Sequence, residues 1–287
     1  MGNVPVSITI DTAFSKQKKA LQAMEKAFEE ARRLENEVSE WRTESQTSLL
    51  NRSAGRYLVP IGRDLTAILL LAAQVSEMTD GAFDITFSSP DKKATYRDVV
   101  VLPAFSLAFL KNKGVKIAVS GIAKGYIVDR MRDVLRQEGF KKFLVNAGDL
   151  YASGRWVVGI RDPDHPGEEK TICKLKVKDQ AVSTSGLYER GAHIIDPKTR
   201  KAVAHAGSVT VIAKSSAVAD ALATGAFVLG KQRLPSLLEK IPDIKVVLTD
   251  TSSPPPCALL GSSKTDGSRL FVKRKRDTPS PPGTKQP

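Results

Sequence analysis

Much familiar chemistry is missing from this 287-residue sequence, and each absence removes a class of function. There is no P-loop, no dinucleotide-binding glycine fingerprint, no Ser/His/Asp nucleophile pattern and no glycosidase-like carboxylate pair. Cys173 and Cys257 are the only cysteines and lie outside any CxxC or Cys/His spacing. Neither a zinc site nor a disulfide framework is therefore expected, and both read as ordinary thiols. No run of about 18 apolar residues occurs, so no transmembrane segment is expected. The opening MGNVPVSITI has no basic stretch leading into an apolar one, so no signal peptide is read and a cytoplasmic location is expected. Aromatics are 6% of the chain and are not interleaved with basic residues. Despite a formal net charge of +13, nucleic acid is therefore not the expected partner. The charge is spread widely, and a polyphosphate-bearing ligand also benefits from a positive field.

What is present is a mixture of periodicities. Residues 4–10 alternate like a strand, and residues 16–41 carry Ala20, Met24, Ala27, Ala31, Leu34 and Val38 at helical spacing. A second helix is predicted over 64–78, ended by the turn Thr79-Asp80-Gly81. A strand over 115–119, a glycine turn over 120–125 and a helix over 126–137 follow. Further strands are predicted over 143–146, 156–161, 174–177, 181–184, 209–213 and 245–249, with a helix over 218–229. This mixture predicts an α+β fold of layered β-sheets flanked by helices, forming one domain over residues 1–250. Residues 251–287 are rich in Ser, Pro and basic side chains and are predicted to be a disordered low-complexity tail, with too few apolar groups to offset the entropy of ordering.

Five places could carry chemistry. Asp220 and Thr224 are four apart at the start of a helix, so their oxygens share one face and could share a hard cation such as Mg2+. The same pair also suits a plain helix start, with Asp220 favoured by the dipole and Thr224 packing. Residues 120–126 (SGIAKGY) combine small side chains with Lys124, a pattern suited to phosphate at a helix N-terminus or to a tight turn with an exposed lysine. Asn146-Ala147-Gly148-Asp149 and Thr184-Ser185-Gly186 are polar turns that line ligands or only reverse the chain. His193 stands near Asp196, as a catalytic or a hydrogen-bonded structural histidine.

Taken in order, these segments resemble the ApbE-type FAD:protein FMN transferases from Val4 to Leu248. The resemblance runs through VPVSITI, the series Ser39, Trp41, Arg42, Ser45, Ser48, Asn51, then TDGAFD, GIAKGYIVD, LVNAGD, VSTSGLYER, HIIDP and ADALATGAFVLG. It implies that FAD, as substrate, lies between two halves of the molecule with Mg2+ on its pyrophosphate. The implied metal ligands are Asp220, Thr224 and a backbone carbonyl from Gly121 to Ala123. Trp41 is implied to flank the isoalloxazine ring, and Asn146, Gly148, Ser185 and Gly186 to line the flavin pocket. Asp84 and Lys124 are further cofactor-binding positions. His193 and Asp196 are implied to lie near the reacting phosphate, with Asp196 a candidate general base. The implied reaction moves FMN from FAD onto a Thr or Ser hydroxyl of an acceptor protein and releases AMP.

The chain departs from the family pattern at Ala118, where an aspartate is usual, at Ser120, which replaces a glycine, and between Ala147 and Asp149, where one glycine is missing. The stretch between Asp84 and Gly121 is also shorter. Two alternatives follow: an FAD pyrophosphatase giving FMN and AMP, or a non-catalytic flavin-binding relative. Family members are often exported and lipid-anchored at the cell envelope.

Overall fold

The alanine stripe near the N-terminus becomes a long helix in the computed structural model of the chain, which describes residues 4–165, 168, 170–188, 191, 193–204, 207–241, 243–249, 257–260 and 269–272. Strand β1 (Ser7–Ile10) precedes this helix, α1 (Gln17–Val38), whose buried positions Ala20, Ala23, Ala27, Ala31, Leu34 and Val38 recur every three or four residues. Helix α2 (Gln46–Arg52) starts at Ser45, whose Oγ accepts from Ser48 N at 3.1 Å. Strand β2 (Val59–Pro60), helix α3 (Arg63–Met78) and strands β3 (Val99–Leu102) and β4 (Leu107–Leu110) follow, and a small sheet forms in the order β2–β4–β3.

Helix α4 (Ser120–Gln137) leads to β5 (Phe143–Asn146), β6 (Leu150–Arg161), β7 (Thr171–Gly186) and β8 (Ser208–Ala213). Helices α5 (Ser216–Leu229) and α6 (Leu234–Lys240) come next, then β9 (Lys245–Thr249), β10 (Cys257–Leu260) and β11 (Arg269–Val272). The main sheet is eight-stranded and antiparallel, ordered β1–β5–β6–β7–β8–β9–β10, with β11 also paired to β7. The α+β class is as expected.

Alternation along the strands divides the apolar side chains between two clusters. Val145, Ala181, Val211 and Val246 join the helices in the main core, while Val182, Ile212 and Val247 join a smaller cluster on the other face.

Three local expectations change. Residues 115–119 do alternate buried and exposed, yet they pair with no strand. The Asn51 side chain takes the place of one, donating from Nδ2 to Ile117 O at 2.9 Å and accepting from Ile117 N at 2.8 Å. The glycine turn over 120–125 is instead the beginning of α4. The separate strands expected at 174–177 and 181–184 are one strand, β7, whose two ends take different partners.

The two cysteines also differ from expectation. Cys173 on β7 and Cys257 on β10 form a disulfide that closes 84 residues of chain. By loop-closure arithmetic a bond of that span contributes about 4–5 kcal/mol. Because β10 and β11 are paired, the sheet continues past the boundary expected at residue 250. The remainder of the tail lies outside the described residues.

Candidate active site

The site is built where α4 crosses α5. Asp129 on α4 caps α5: Oδ1 accepts from Ser216 N at 2.9 Å, and Oδ2 from Ala217 N at 3.0 Å and Ser215 Oγ at 2.7 Å. The carboxylate thus satisfies amides that a helix start leaves unpaired and complements its positive end. Such a close crossing requires Gly125, because a Cβ there would lie 2.2 Å from Ser216 O.

One turn into α5, Asp220 meets α4. Lys124 Nζ donates to both Asp220 carboxylate oxygens at 3.0 Å, and Gly125 N donates to Oδ2 at 3.3 Å. Asp149, from the turn between β5 and β6, approaches the same ammonium at 3.1 Å through Oδ2. That approach lacks hydrogen-bond alignment, so Oδ2 remains a buried oxygen with no hydrogen-bond donor. Asp149 Oδ1 accepts from Ser183 Oγ on β7. Thr224 Oγ1 lies 3.3 Å from Ser185 Oγ and 3.3 Å from Asp220 O, to which it donates.

Two carboxylates therefore face one ammonium. Asp220 and Asp149 are only 4% and 3% exposed, while Lys124 keeps a quarter of its side-chain surface in solvent with its charged end between them. Burial, followed by the negative charge of Asp149, pushes Asp220 up to about 7 against the pull of Lys124. Burial alone would lower the Lys124 value, but Asp149 and Asp220 outweigh it and hold the ammonium above the usual lysine range.

The consequence for stability has a definite sign. The folded chain holds the Asp220 proton more tightly than the unfolded chain, where a carboxylate titrates near pH ~4. This contribution is full below that value and is lost as pH rises through about 7. Unfolding in chelator should therefore show stability falling across that window, and the wild-type minus Asp220→Asn difference should isolate the slope. Equal slopes for the two proteins would assign the pH dependence to other groups.

The structure gathers Lys124, Ser185, Asp220 and Thr224 from the expected set. Gly186 follows Ser185 at the end of β7, and Gly121 and Ala123 lie in the first turn of α4. Asn146 and Gly148 share the turn with Asp149, where Asn146 Oδ1 accepts from Gly148 N at 3.0 Å. Trp41 is 85% exposed in the loop after α1; beside it, Glu40 Oε1 accepts from Ser120 N at 3.1 Å and ties that loop to the start of α4.

Asp84 is buried and braces its own loop, with Oδ1 accepting from Thr86 N and Oγ1 at 2.8 and 2.7 Å and Oδ2 from Tyr96 N at 2.9 Å. Its burial raises its pKa against those hydrogen bonds. The turn before it packs on α5 where Gly225 leaves room, since a Cβ there would lie 2.8 Å from Thr79 Cγ2. His193 is exposed, with Nδ1 2.9 Å from Gly191 O. Asp196 caps a turn, accepting from Lys198 N at 2.8 Å and Thr199 Oγ1 at 3.1 Å. No hydrogen bond among the described residues joins His193 or Asp196 to the Asp220 cluster.

The sequence marks Asp149 only as the end of a polar turn and does not single out Ser183 or Asp129. Asp149 and Asp129 lie inside LVNAGD and GIAKGYIVD, but only the helix crossing shows what they hold.

The overall fold matches solved structures of ApbE proteins. The ApbE protein of Thermotoga maritima has a TM-score of 0.76 at 26% identity, covering 90% of this chain and 94% of that one. The flavin transferase ApbE of Vibrio cholerae has a TM-score of 0.75 at 22% identity, covering 92% and 94%, and supports the fold alone. In sequence, the chain is 30% identical over 254 residues to an FAD:protein FMN transferase of Klebsiella pneumoniae (strain 342), covering 77% of this chain and 80% of the relative. It is 30% identical over 273 residues to the FAD:protein FMN transferase of Treponema pallidum (strain Nichols), covering 77% and 75%. The sequence profile of the ApbE family matches residues 1–248, and the chain belongs to that family.

Proposed function

We propose that this chain transfers the FMN part of FAD to a Thr or Ser hydroxyl of an acceptor protein, releasing AMP. One observation carries the reading: two buried carboxylates share a single ammonium beside the Thr224 hydroxyl, which gathers hard oxygen donors where α4, α5 and the β5–β6 turn meet. The relatives named FAD:protein FMN transferase support it.

Mg2+ fits these donors. It takes hard oxygen ligands and completes its shell with waters and phosphates. Among the described residues no group of three or more His, Cys, Asp or Glu side chains that could hold a metal ion occurs, so most of its ligands would have to be waters, phosphates and backbone oxygens. Asp220 and Thr224 would hold it, and the resemblance adds a carbonyl from Gly121 to Ala123. When bound, it would neutralise charge on the pyrophosphate and favour the leaving group.

The chain's own residues then have distinct tasks. Lys124 supplies fixed positive charge at the phosphates, and Asp149, held by Ser183, keeps that ammonium in place. Asn146, Gly148, Ser185 and Gly186 line the flavin pocket and Trp41 flanks the ring, with Asp84 bracing the adjoining loop. The acceptor hydroxyl forms a new P–O bond at the FMN phosphorus while the anhydride bond to AMP breaks. Asp196 accepts the hydroxyl proton, and His193 stands beside the reacting phosphate.

Among the described residues no helix is long and apolar enough to cross a membrane. Disulfides persist in oxidising compartments and are rare in the cytosol. The Cys173–Cys257 bond therefore favours a location outside the reducing cytosol, in contrast to the cytoplasmic expectation.

The test is the mass of an acceptor domain after incubation with the chain, FAD and Mg2+. A gain of one FMN with one AMP released supports transfer. Free FMN and AMP with an unmodified acceptor would make the chain a pyrophosphatase, and no turnover would leave it a flavin-binding relative.

A further inference from the structure

Among the described residues, the side chain of Arg200 hydrogen-bonds the turn carrying Asp196 to the loop after Asp84. Arg200 closes that turn with its amide, which donates to Asp196 O at 2.8 Å, and its φ of 58° is a left-handed conformation uncommon for a side chain of this size. Its guanidinium crosses to the loop after Asp84. Nη1 donates to the carbonyls of Thr86, at 3.0 Å, and Phe87, and Nη2 to those of Ala94, at 2.7 Å, and Lys92, at 3.4 Å. Its Nε is buried without a partner.

The two joined pieces are held very differently. The receiving loop is braced by Asp84 and by Ser89 Oγ, which donates to Lys116 O and accepts from Lys116 N, both at 2.9 Å. The turn just before Asp84 rests on α5 through Thr79 and Phe83 at Gly225, next to Thr224. Among the described residues the stretch around Asp196 has one β-bridge, Ile195 to Ala202, and buries Ile194 and Val203. The connection therefore runs from Asp196 through Arg200 to the loop braced by Asp84, and along the backbone at Asp84 to the Thr79–Phe83 turn that packs on the metal-binding face proposed for α5.

We infer that Arg200 is a positioning residue: it registers the turn of His193 and Asp196 against the braced loop and so sets their place relative to Asp220 and Thr224. This rests on the transferase reading above. A planar fork suits the task, because its donors reach several carbonyls at once, whereas a lysine offers a single point charge.

Arg200→Gly separates the role from turn formation, since glycine adopts the left-handed backbone freely. Hydrogen exchange at the Asp196 and Val203 amides should quicken. The kcat for transfer should fall by about ten- to a hundredfold while the KM for FAD stays within about threefold, because displacement of chemical groups costs rate more than binding. Arg200→Lys should lie between wild type and Arg200→Gly in both measurements. Unchanged exchange with kcat within about twofold would overturn the inference, as would kcat, FAD binding and Tm all falling together, the mark of a merely structural arginine. Absence of transfer by the wild-type chain would instead remove the functional reading, and the exchange comparison would then decide the clamp by itself.

Discussion

Asp220→Asn is expected to lower FMN transfer by more than about a hundredfold, the scale on which even supporting groups of a metal site act. The substitution keeps the size and one carbonyl oxygen of the side chain. It leaves Lys124 facing Asp149, so the ammonium is not stranded without a counter-charge. What disappears is the anionic ligand one turn before Thr224. The predicted signature is lost transfer, measured as the initial rate of acceptor modification, by a chain that still folds cooperatively but whose Tm Mg2+ no longer raises. Activity within about threefold of wild type would remove Asp220 from the mechanism. Lys124→Met would be a poorer probe, because stripping one partner from a buried ion pair costs about 3–5 kcal/mol and threatens the fold itself.

Gly125→Ala should have the largest effect on stability for the smallest change in composition. The added methyl would stand 2.2 Å from Ser216 O and 2.8 Å from Ala217 Cα, both backbone atoms of α5 that cannot swing aside. Either the helices separate or the strain is retained, at about 3 kcal/mol, the upper end of ordinary overpacking. For a chain of this size that corresponds to a Tm drop of roughly 6–12 °C. Any shift of α5 moves Asp220 and Thr224 relative to Lys124, so activity should fall well below the folded fraction. A Tm within about 1 °C of wild type would mean that the crossing is looser than the geometry requires.

Helix α1 was legible because six small or apolar positions repeat at helical spacing, and strands β5 and β9 because short apolar runs end in polar turns. Asp220 and Thr224 were legible for a similar reason: a spacing of four has one meaning on a helix. Gly121 and Gly125 hid the start of α4, since glycine disfavours a helix locally; at Gly125 the reason for it is a neighbouring helix. The extended run at 115–119 shows the opposite limit: its alternation is real, but its pairing partner is the side chain of Asn51.

Long-range partners were illegible in principle. Asp149 meets Lys124 only because the β5–β6 turn ends beside α4, Cys173 meets Cys257 only because β10 pairs at the far end of the sheet, and Arg200 reaches carbonyls in a loop distant in sequence.

The central claim is that the oxygens of Asp220 and Thr224 hold a divalent cation against the FAD pyrophosphate. Crystals grown with FAD and Mn2+ in place of Mg2+ test it directly, because Mn2+ is located by its anomalous scattering. The account predicts one strong peak within coordination distance of the Asp220 carboxylate, the Thr224 hydroxyl and the FAD phosphates. FAD bound with the peak elsewhere, or with none, would contradict it.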